Sequence, residues 1–505
     1  MGAKLVLKEL YETINQIANE ARVLDNPSPI ILREKAKKYS VPNDLGVLLF
    51  HTKVTARSPE ATVDDVNKLD ADMKNQLVDE IKKVREYMKG RSLYRIDRNI
   101  GTNSRISLKA TAFVSSDFPH LALMFHMNYF PAQEDKESDI ITLDLPEWPK
   151  KAVYVDPEHN VNVILGSDYY GELKMSALRL AMNYAREKMD SLGVHAGGKI
   201  FELMNDEGKV ERKGALLFGL SGTGKTTLTV SDHGVKSPEA VYVKQDDIMI
   251  LDKDGYAAGT EMNLYPKTES VNGLEELKRA VIHPDSILEN VAVKDGKVDF
   301  DDIKFNSNGR AIAIRDYVKN VNATIDIPKV DFLFYITRRK DIPAAGRLIS
   351  KEQSVAYFML GESVMTSAGT MDKSQIGKAL RVPGFDPFII DPKWKSGQRL
   401  LEILDKCSWV SSYVINTGYV GDNKIPPEIT KKIILSIVKG KAKWVFDADL
   451  NYEVLVGAPD VDLRPFDPHN VFGDEYGKMM SSLREERRKY IRDNFPELSY
   501  LANSL

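Results

Sequence analysis

The sequence predicts an α/β (α+β) protein of two domains, and three observations carry that expectation. A chain of 505 residues exceeds what one ordinary core organises. Short apolar or alternating runs broken by Gly, Asn, Ser and Pro, the pattern of strands, are interspersed with amphipathic stretches at helical spacing. An apolar run, Ala215 to Phe218, stops at Gly219 and opens into a glycine-rich loop, as a strand does when it leads through a tight turn into a helix. The domain boundary is placed near residue 198, at a glycine pair, giving domains 1–198 and 199–505.

In chain order, roughly the first 45 residues read as helical, and 44–63 as a strand leaving into a loop at Ala56 to Pro59. The runs 91–101, 104–116 and 120–130 suggest a mixed sheet, 131–151 a surface connection rich in acids and Pro, and 153–166 another strand. Residues 171–193 form a helix with Leu173, Leu178, Leu180, Ala181 and Tyr184 near one face. Strand, turn and strand follow over 193–219. Downstream, strands at 240–251, 330–339 and 409–421 are separated by helices at 272–281, 350–365 and 426–440. The pairing of these strands does not follow from the sequence. An amphipathic helix closes the chain over 476–495, and its run REERRK reads as a solvated face.

Composition narrows the function classes. With 70 basic against 73 acidic side chains, the net charge of -3 provides no overall field to attract nucleic acid or anionic membrane, so any anion site is local. One cysteine, Cys407, excludes an intrachain disulfide framework and a thiolate metal cluster, and its apolar setting makes it a packing residue. The N-terminal stretch lacks the apolar core of a signal peptide, and nowhere do 18 apolar residues run together. The expectation is a cytoplasmic monomer or small homo-oligomer that acts on small molecules.

The loop has the spacing of a nucleoside triphosphate site. Gly219, Gly222 and Gly224 let the backbone of Gly219, Leu220, Ser221, Gly222, Thr223 and Gly224 turn its N–H groups toward phosphate oxygens. Lys225 adds a mobile cation, the Thr226 hydroxyl is placed to hold Mg²⁺, and Thr227 continues the helix start. About 20 residues on, a β-rich run ends in Asp246 and Asp247, paired carboxylates placed for a divalent cation shared with the triphosphate. No GTPase-type NKxD or DxxG pattern follows at suitable spacing.

At these residues the chain resembles the ATP-dependent phosphoenolpyruvate carboxykinases. GLSGTGKTTL at 219–228 is that family's loop, and the segments 246–268, 285–302, 308–314, 346–361, 414–425 and 466–470 fall in family order. In the first domain TARSPEA, NSRISL and YYGELKMS are similar to family motifs, so the resemblance spans nearly the whole chain. It implies the family's two-domain fold, with an N-terminal substrate domain and a nucleotide domain carrying the loop. It also implies ATP with Mg²⁺ and a second metal such as Mn²⁺, and the conversion of oxaloacetate to phosphoenolpyruvate, CO₂ and ADP.

The resemblance also assigns residues. Arg57 and Arg310 grip carboxylate or phosphate, Tyr169 lies near the carboxyl or CO₂ group, and Ser221 touches substrate as well as phosphate. Lys424, bordered by Asn423 and Ile425, falls near the nucleotide-contacting position. The family's second metal sits on a lysine, a histidine and an aspartate. Asp247 matches the aspartate, and His195 is the candidate histidine if the hairpin before the loop is longer than the family's, with Glu202 as the alternative. The family's two adjacent lysines become Lys174 and Met175, with Met175 at the ligand position, and a thioether does not replace an amine on a hard cation. A mobile lid is expected around 359–375. Two rival readings remain: a kinase of the same fold acting on a different small metabolite without decarboxylation, and a nucleotide-binding scaffold without turnover.

Overall fold

The computed structural model describes residues 12, 14–17, 19–55, 62–103, 105–133, 135–302, 305, 308–364 and 378–505. By contact the chain divides into two compact units, Met1–Tyr184 with Thr260–Val318, and Ala185–Gly259 with Lys319–Leu505. A single cut at residue 198 therefore does not describe the chain. The segment from Thr260 returns to the first unit because Ile287–Glu289 pairs in parallel with Leu48–Phe50 and antiparallel with Arg310–Ile312.

The first unit is built on an eight-stranded mixed sheet. Its order is Arg22–Asp25, Ser92–Asn103, Ile106–Ser115, Ile140–Leu145, Val161–Leu165, Ala152–Asp156 and Thr62–Asp65, with Phe130–Pro131 paired to the second of these. Two sequence expectations are corrected here. Arg22–Asp25 is a parallel strand inside the stretch read as helical, because its partner Ser92–Arg95 supplies the ladder. Ile140–Leu145, read as surface connection, is a central strand bonded in parallel on both sides. Its flanking acids disguised a segment whose Ile140, Leu143 and Leu145 are buried, as strands covered on both faces are.

The second unit is built on a ten-stranded sheet whose centre is Leu192–Met204, Val210–Phe218, Val330–Thr337 and Ser411–Asn416. Side chains of alternate parity enter different cores. Leu216, Phe218, Leu333 and Tyr335 join the cluster that includes the helices Lys351–Leu360 and Trp394–Lys406. Ala215, Leu217, Phe334 and Ile336 join the one that includes Pro427–Val438. Covering both faces explains why these strands read as continuous apolar runs. The expected hairpin is present, and Cys407 is buried in the first of these cores.

The C-terminal helix Tyr476–Asn494 corrects a further reading. Arg487, in the run expected to be solvated, is buried and bonds the Glu362 carboxylate from Nε and Nη2, while its Nη1 donates to the Tyr357 hydroxyl. One residue in four on a helix can face inward whatever the charge of the run. Most of the expected lid, 365–375, lies outside the described residues, and so does Arg57. No described helix is long and apolar enough to cross a membrane.

Candidate active site

In the second unit the strand Val210–Phe218 ends at the loop, and the short helix Lys225–Val230 follows. Gly222 and Gly224 take φ of 78° and 91°, where a side chain would be strained. Cross-bonds hold the turn. The Thr223 hydroxyl donates to the Leu220 carbonyl at 2.7 Å, Thr417 donates to the Thr223 carbonyl at 2.6 Å, and Arg338 donates to the Gly222 carbonyl at 2.8 Å. At the other end of the helix the buried Lys199 ammonium donates to the Leu228 and Ser231 carbonyls, and Asn320 donates to that of Val230. These are anchors that the sequence did not signal: a lysine on a strand gives no hint that it will cap the far end of the helix that follows the loop.

Asp246 and Asp247 sit in the break between Ala240–Gln245 and Ile248–Leu251, two strands that pair with the same long strand Leu192–Met204. That break turns Asp247 toward the loop. Its Oδ1 lies 2.8 Å from His195 Nε2 and 3.6 Å from Lys225 Nζ. The longer hairpin brings His195 to this point, since Ala196, next to it, pairs with Phe218 at the mouth of the loop. Glu202, the alternative, lies at the hairpin's outer end and pairs with Arg212. His195 Nδ1 meets the Phe385 carbonyl at 2.9 Å, leaving Nε2 to face Asp247. A ring held from behind by a carbonyl, with a carboxylate beside its other nitrogen, fits a divalent cation. Ser221 is exposed and Thr226 half-buried; Lys424 is exposed on a short hairpin and Ile425 buried behind it.

In the first unit a separate cluster forms around Tyr265. Its ring has Arg310 on it at 5.5 Å and Lys174 Nζ at 5.5 Å, and its hydroxyl donates to Glu289 at 2.7 Å. The other Glu289 oxygen accepts the Tyr170 N–H at 2.8 Å, which fixes the start of the helix Tyr170–Lys188. Asn308 joins the remaining members: its amide donates to the Tyr169 hydroxyl and the Thr55 carbonyl, each at 2.9 Å, and its carbonyl accepts from Arg310 Nε at 3.2 Å. Tyr169, Arg310 and Lys174 thus share one network. Asp168 accepts the Lys53 and Val54 N–H groups at 2.8 and 2.9 Å, bracing the chain that leads toward Arg57.

Lys174 is fully buried, with Nζ 3.2 Å from Glu261 Oε1 and 3.7 Å from the Met175 sulfur. An ammonium engaged with a buried carboxylate does not fit the part of a neutral amine ligand, and Met175 does not fit it on chemical grounds. Glu261 lies in the segment 246–268 but carries no spacing signal that pairs it with Lys174. A third group, Asp447, Asp449 and His469, brings three possible ligand atoms within 4.8 Å. Asp447 is already satisfied there by the Asp449 and Leu450 N–H groups and by His469.

A family model described as phosphoenolpyruvate carboxykinase matches residues 21–464. A phosphoenolpyruvate carboxykinase (ATP) of Aeropyrum pernix is 42% identical over 492 residues, covering 97% of this chain and 98% of the relative. Enzymes of the same name from Staphylococcus haemolyticus and Staphylococcus aureus strain Newman are 25% and 27% identical over 70% and 64% of the chain, and over 66% and 60% of their own lengths. With the loop, the paired aspartates and the Tyr169, Lys174 and Arg310 network in family order, the chain belongs to the ATP-dependent phosphoenolpyruvate carboxykinase family.

Proposed function

We infer that the protein converts oxaloacetate and ATP to phosphoenolpyruvate, CO₂ and ADP, as a cytoplasmic enzyme with the unit of Lys225 taking nucleotide and the unit of Arg310 taking the organic acid. The observation that carries this reading is full-length similarity to an enzyme of that name, together with a divided set of cations: Lys174 and Arg310 in one cluster, Lys225 in the other.

Decarboxylation breaks the bond between the carboxylate carbon and the carbon that becomes C3 of the enolate, leaving the electron pair on the enolate. Arg310 and Arg57 bind the carboxylate that remains in place. Tyr169, its hydroxyl already aligned by Asn308, contacts the carboxyl group that departs. Lys174 acts through the field of its buried charge, since its ammonium is engaged by Glu261. His195 and Asp247 would hold a divalent cation, which would supply positive charge to offset that of a developing enolate. The enolate oxygen then attacks the γ-phosphorus, and the bond to the ADP oxygen breaks. The N–H groups of 219–224 and Lys225 bear on the phosphates, Ser221 on substrate and phosphate, Lys424 and Ile425 on the nucleotide, and Thr226 with Asp246 on Mg²⁺. A kinase of another metabolite has only Met175 in its favour.

The test is direct. Purified protein given oxaloacetate, ATP, Mg²⁺ and Mn²⁺ forms phosphoenolpyruvate and CO₂ in equal amounts, and Lys225→Ala lowers kcat at least about 100-fold. Phosphate transfer without CO₂ release, or full activity in Lys225→Ala, overturns the reading.

A further inference from the structure

The turn Pro383–Phe385 is buried, and it holds a conformation that its residues do not choose alone. Phe385 has φ of 55°, the left-handed region, which is costly for a bulky aromatic side chain. Packing imposes it. The Phe385 ring stacks on Tyr335 with centroids 5.6 Å apart and planes at 4°, and Phe218 lies at 6.2 Å. The Phe385 N–H donates to the Val382 carbonyl, and the Val382 N–H donates to that of Gly361. At Gly361 an added Cβ would stand 1.6 Å from the Val382 carbonyl oxygen, so this turn rests directly on bare backbone.

The conformation has a chemical product: the Phe385 carbonyl accepts the His195 Nδ1 proton at 2.9 Å. Nε2 is then the nitrogen with the free lone pair, 2.8 Å from a carboxylate oxygen of Asp247. Two acceptors at that distance repel unless a proton or a cation lies between them. The next residue in the turn is Asp386, 2% exposed. Its Oδ1 accepts the Phe388 N–H at 2.8 Å, while its buried Oδ2 accepts no hydrogen bond. The ionisable groups whose fields reach it are His195, Asp247 and Lys225. A buried carboxylate oxygen with no donor is unfavourable unless it takes up a proton or a positive charge is bound nearby.

We propose that Asp386 is a second acidic group of the cation site formed by His195 and Asp247, a positioning residue that acts on the metal from beyond its direct ligands, and that the 383–386 turn selects the metal-facing nitrogen of His195. The proposal rests on the carboxykinase reading and deepens it.

The experiment is a Mn²⁺ titration of the full chain without nucleotide, followed by electron paramagnetic resonance, with thermal melting of the metal-free protein alongside. Asp386→Asn keeps the acceptor for the Phe388 N–H and removes the charge. Mn²⁺ affinity falls about 10-fold to 100-fold, as for other groups that support metal ligands. The metal-free melting temperature stays level or rises, because a neutral amide replaces an uncompensated buried charge. Asp386→Ala loses Mn²⁺ affinity to at least the same extent. Unchanged Mn²⁺ affinity in Asp386→Asn overturns the proposal, and so does a fall in the metal-free melting temperature of both variants, which marks a structural role. If the wild-type protein forms phosphoenolpyruvate and binds Mn²⁺ while the variants bind it equally well, only this proposal fails. If the wild type binds no Mn²⁺, the second-cation part of the carboxykinase reading fails with it.

Discussion

Glu289 in the first unit and Glu362 in the second are both buried glutamates, and their surroundings drive them in opposite directions. Burial pushes Glu289 up to about 7, only partly opposed by the bonds from Tyr265 and the Tyr170 N–H and by the charge of Arg310. Burial would raise Glu362 as well, but Arg487, Arg339 and Arg381 together hold it well below the usual carboxylate range. Their nearest guanidinium nitrogens lie 2.5, 3.6 and 3.0 Å away. Neutral donors satisfy a carboxyl group without keeping it charged, whereas three guanidiniums fix the charge and make the group a structural anchor. The first arrangement leaves a titratable group inside the Tyr265 network. The second ties the C-terminal helix to the core.

The largest expected effect comes from breaking the anchor. Arg487→Met strips Glu362 of its closest partner and costs about 3–5 kcal/mol of stability, measured by urea denaturation at neutral pH. Because the folded-state pKa of Glu362 is depressed, the stability it supplies is present above its ordinary value of 4.5 and is lost as pH falls below that value. Glu289 has the opposite sign. Its folded pKa is raised, so its penalty is absent below 4.5, grows as pH rises, and is complete above about 7. Glu289→Gln therefore stabilises the protein at pH 8 by up to about 3 kcal/mol and is close to neutral near pH 4. A variant equally stabilising at both pH values would refute the assignment.

Tyr265→Phe removes one of the two donors to Glu289 and costs about 1 kcal/mol, with a greater loss at pH 8 than at pH 5, since the missing bond favoured the charged form. The smallest effect belongs to His120, buried in the first unit against Phe50 at 4.8 Å, with both ring nitrogens lacking a hydrogen bond of ordinary geometry. Burial pushes it down to about 4. At pH 7 it is neutral, and His120→Phe changes stability by less than about 1 kcal/mol. Below pH 6.5 the wild type loses stability progressively to about pH 4, because the imidazole takes up its proton in the unfolded chain near 6.5 but in the folded protein only near 4, and the phenylalanine variant lacks that contribution.

The sequence read most reliably where one element carried its own pattern. The helices over 170–188, 351–360, 427–438 and 476–494 were visible in their periodicity, and the hairpin over 192–218 in its turn. It failed where a neighbour decided the outcome. Arg22–Asp25 became a strand because Ser92–Arg95 lay alongside, and Ile140–Leu145 was hidden by acids that belong to its ends. Arg487 looked solvated because a helical run of charges shows its average face, not the one position that Glu362 draws inward.

The same division runs through the site. What the sequence determined by itself was local chemistry: the glycines and Lys225 of one turn, and the adjacent Asp246 and Asp247, whose roles depend on residues within a few positions of one another. Tertiary structure alone decided that His195 would face Asp247, that Lys174 would be held by Glu261, that Tyr265 would lie beneath both Arg310 and Lys174, and that Phe385 would turn the ring of His195. Backbone preference and hydrophobic periodicity act over a turn or two of chain. Burial and the choice of charge partner arise from groups distant in sequence, and those two terms set whether a side chain is a ligand, an anchor or an acid.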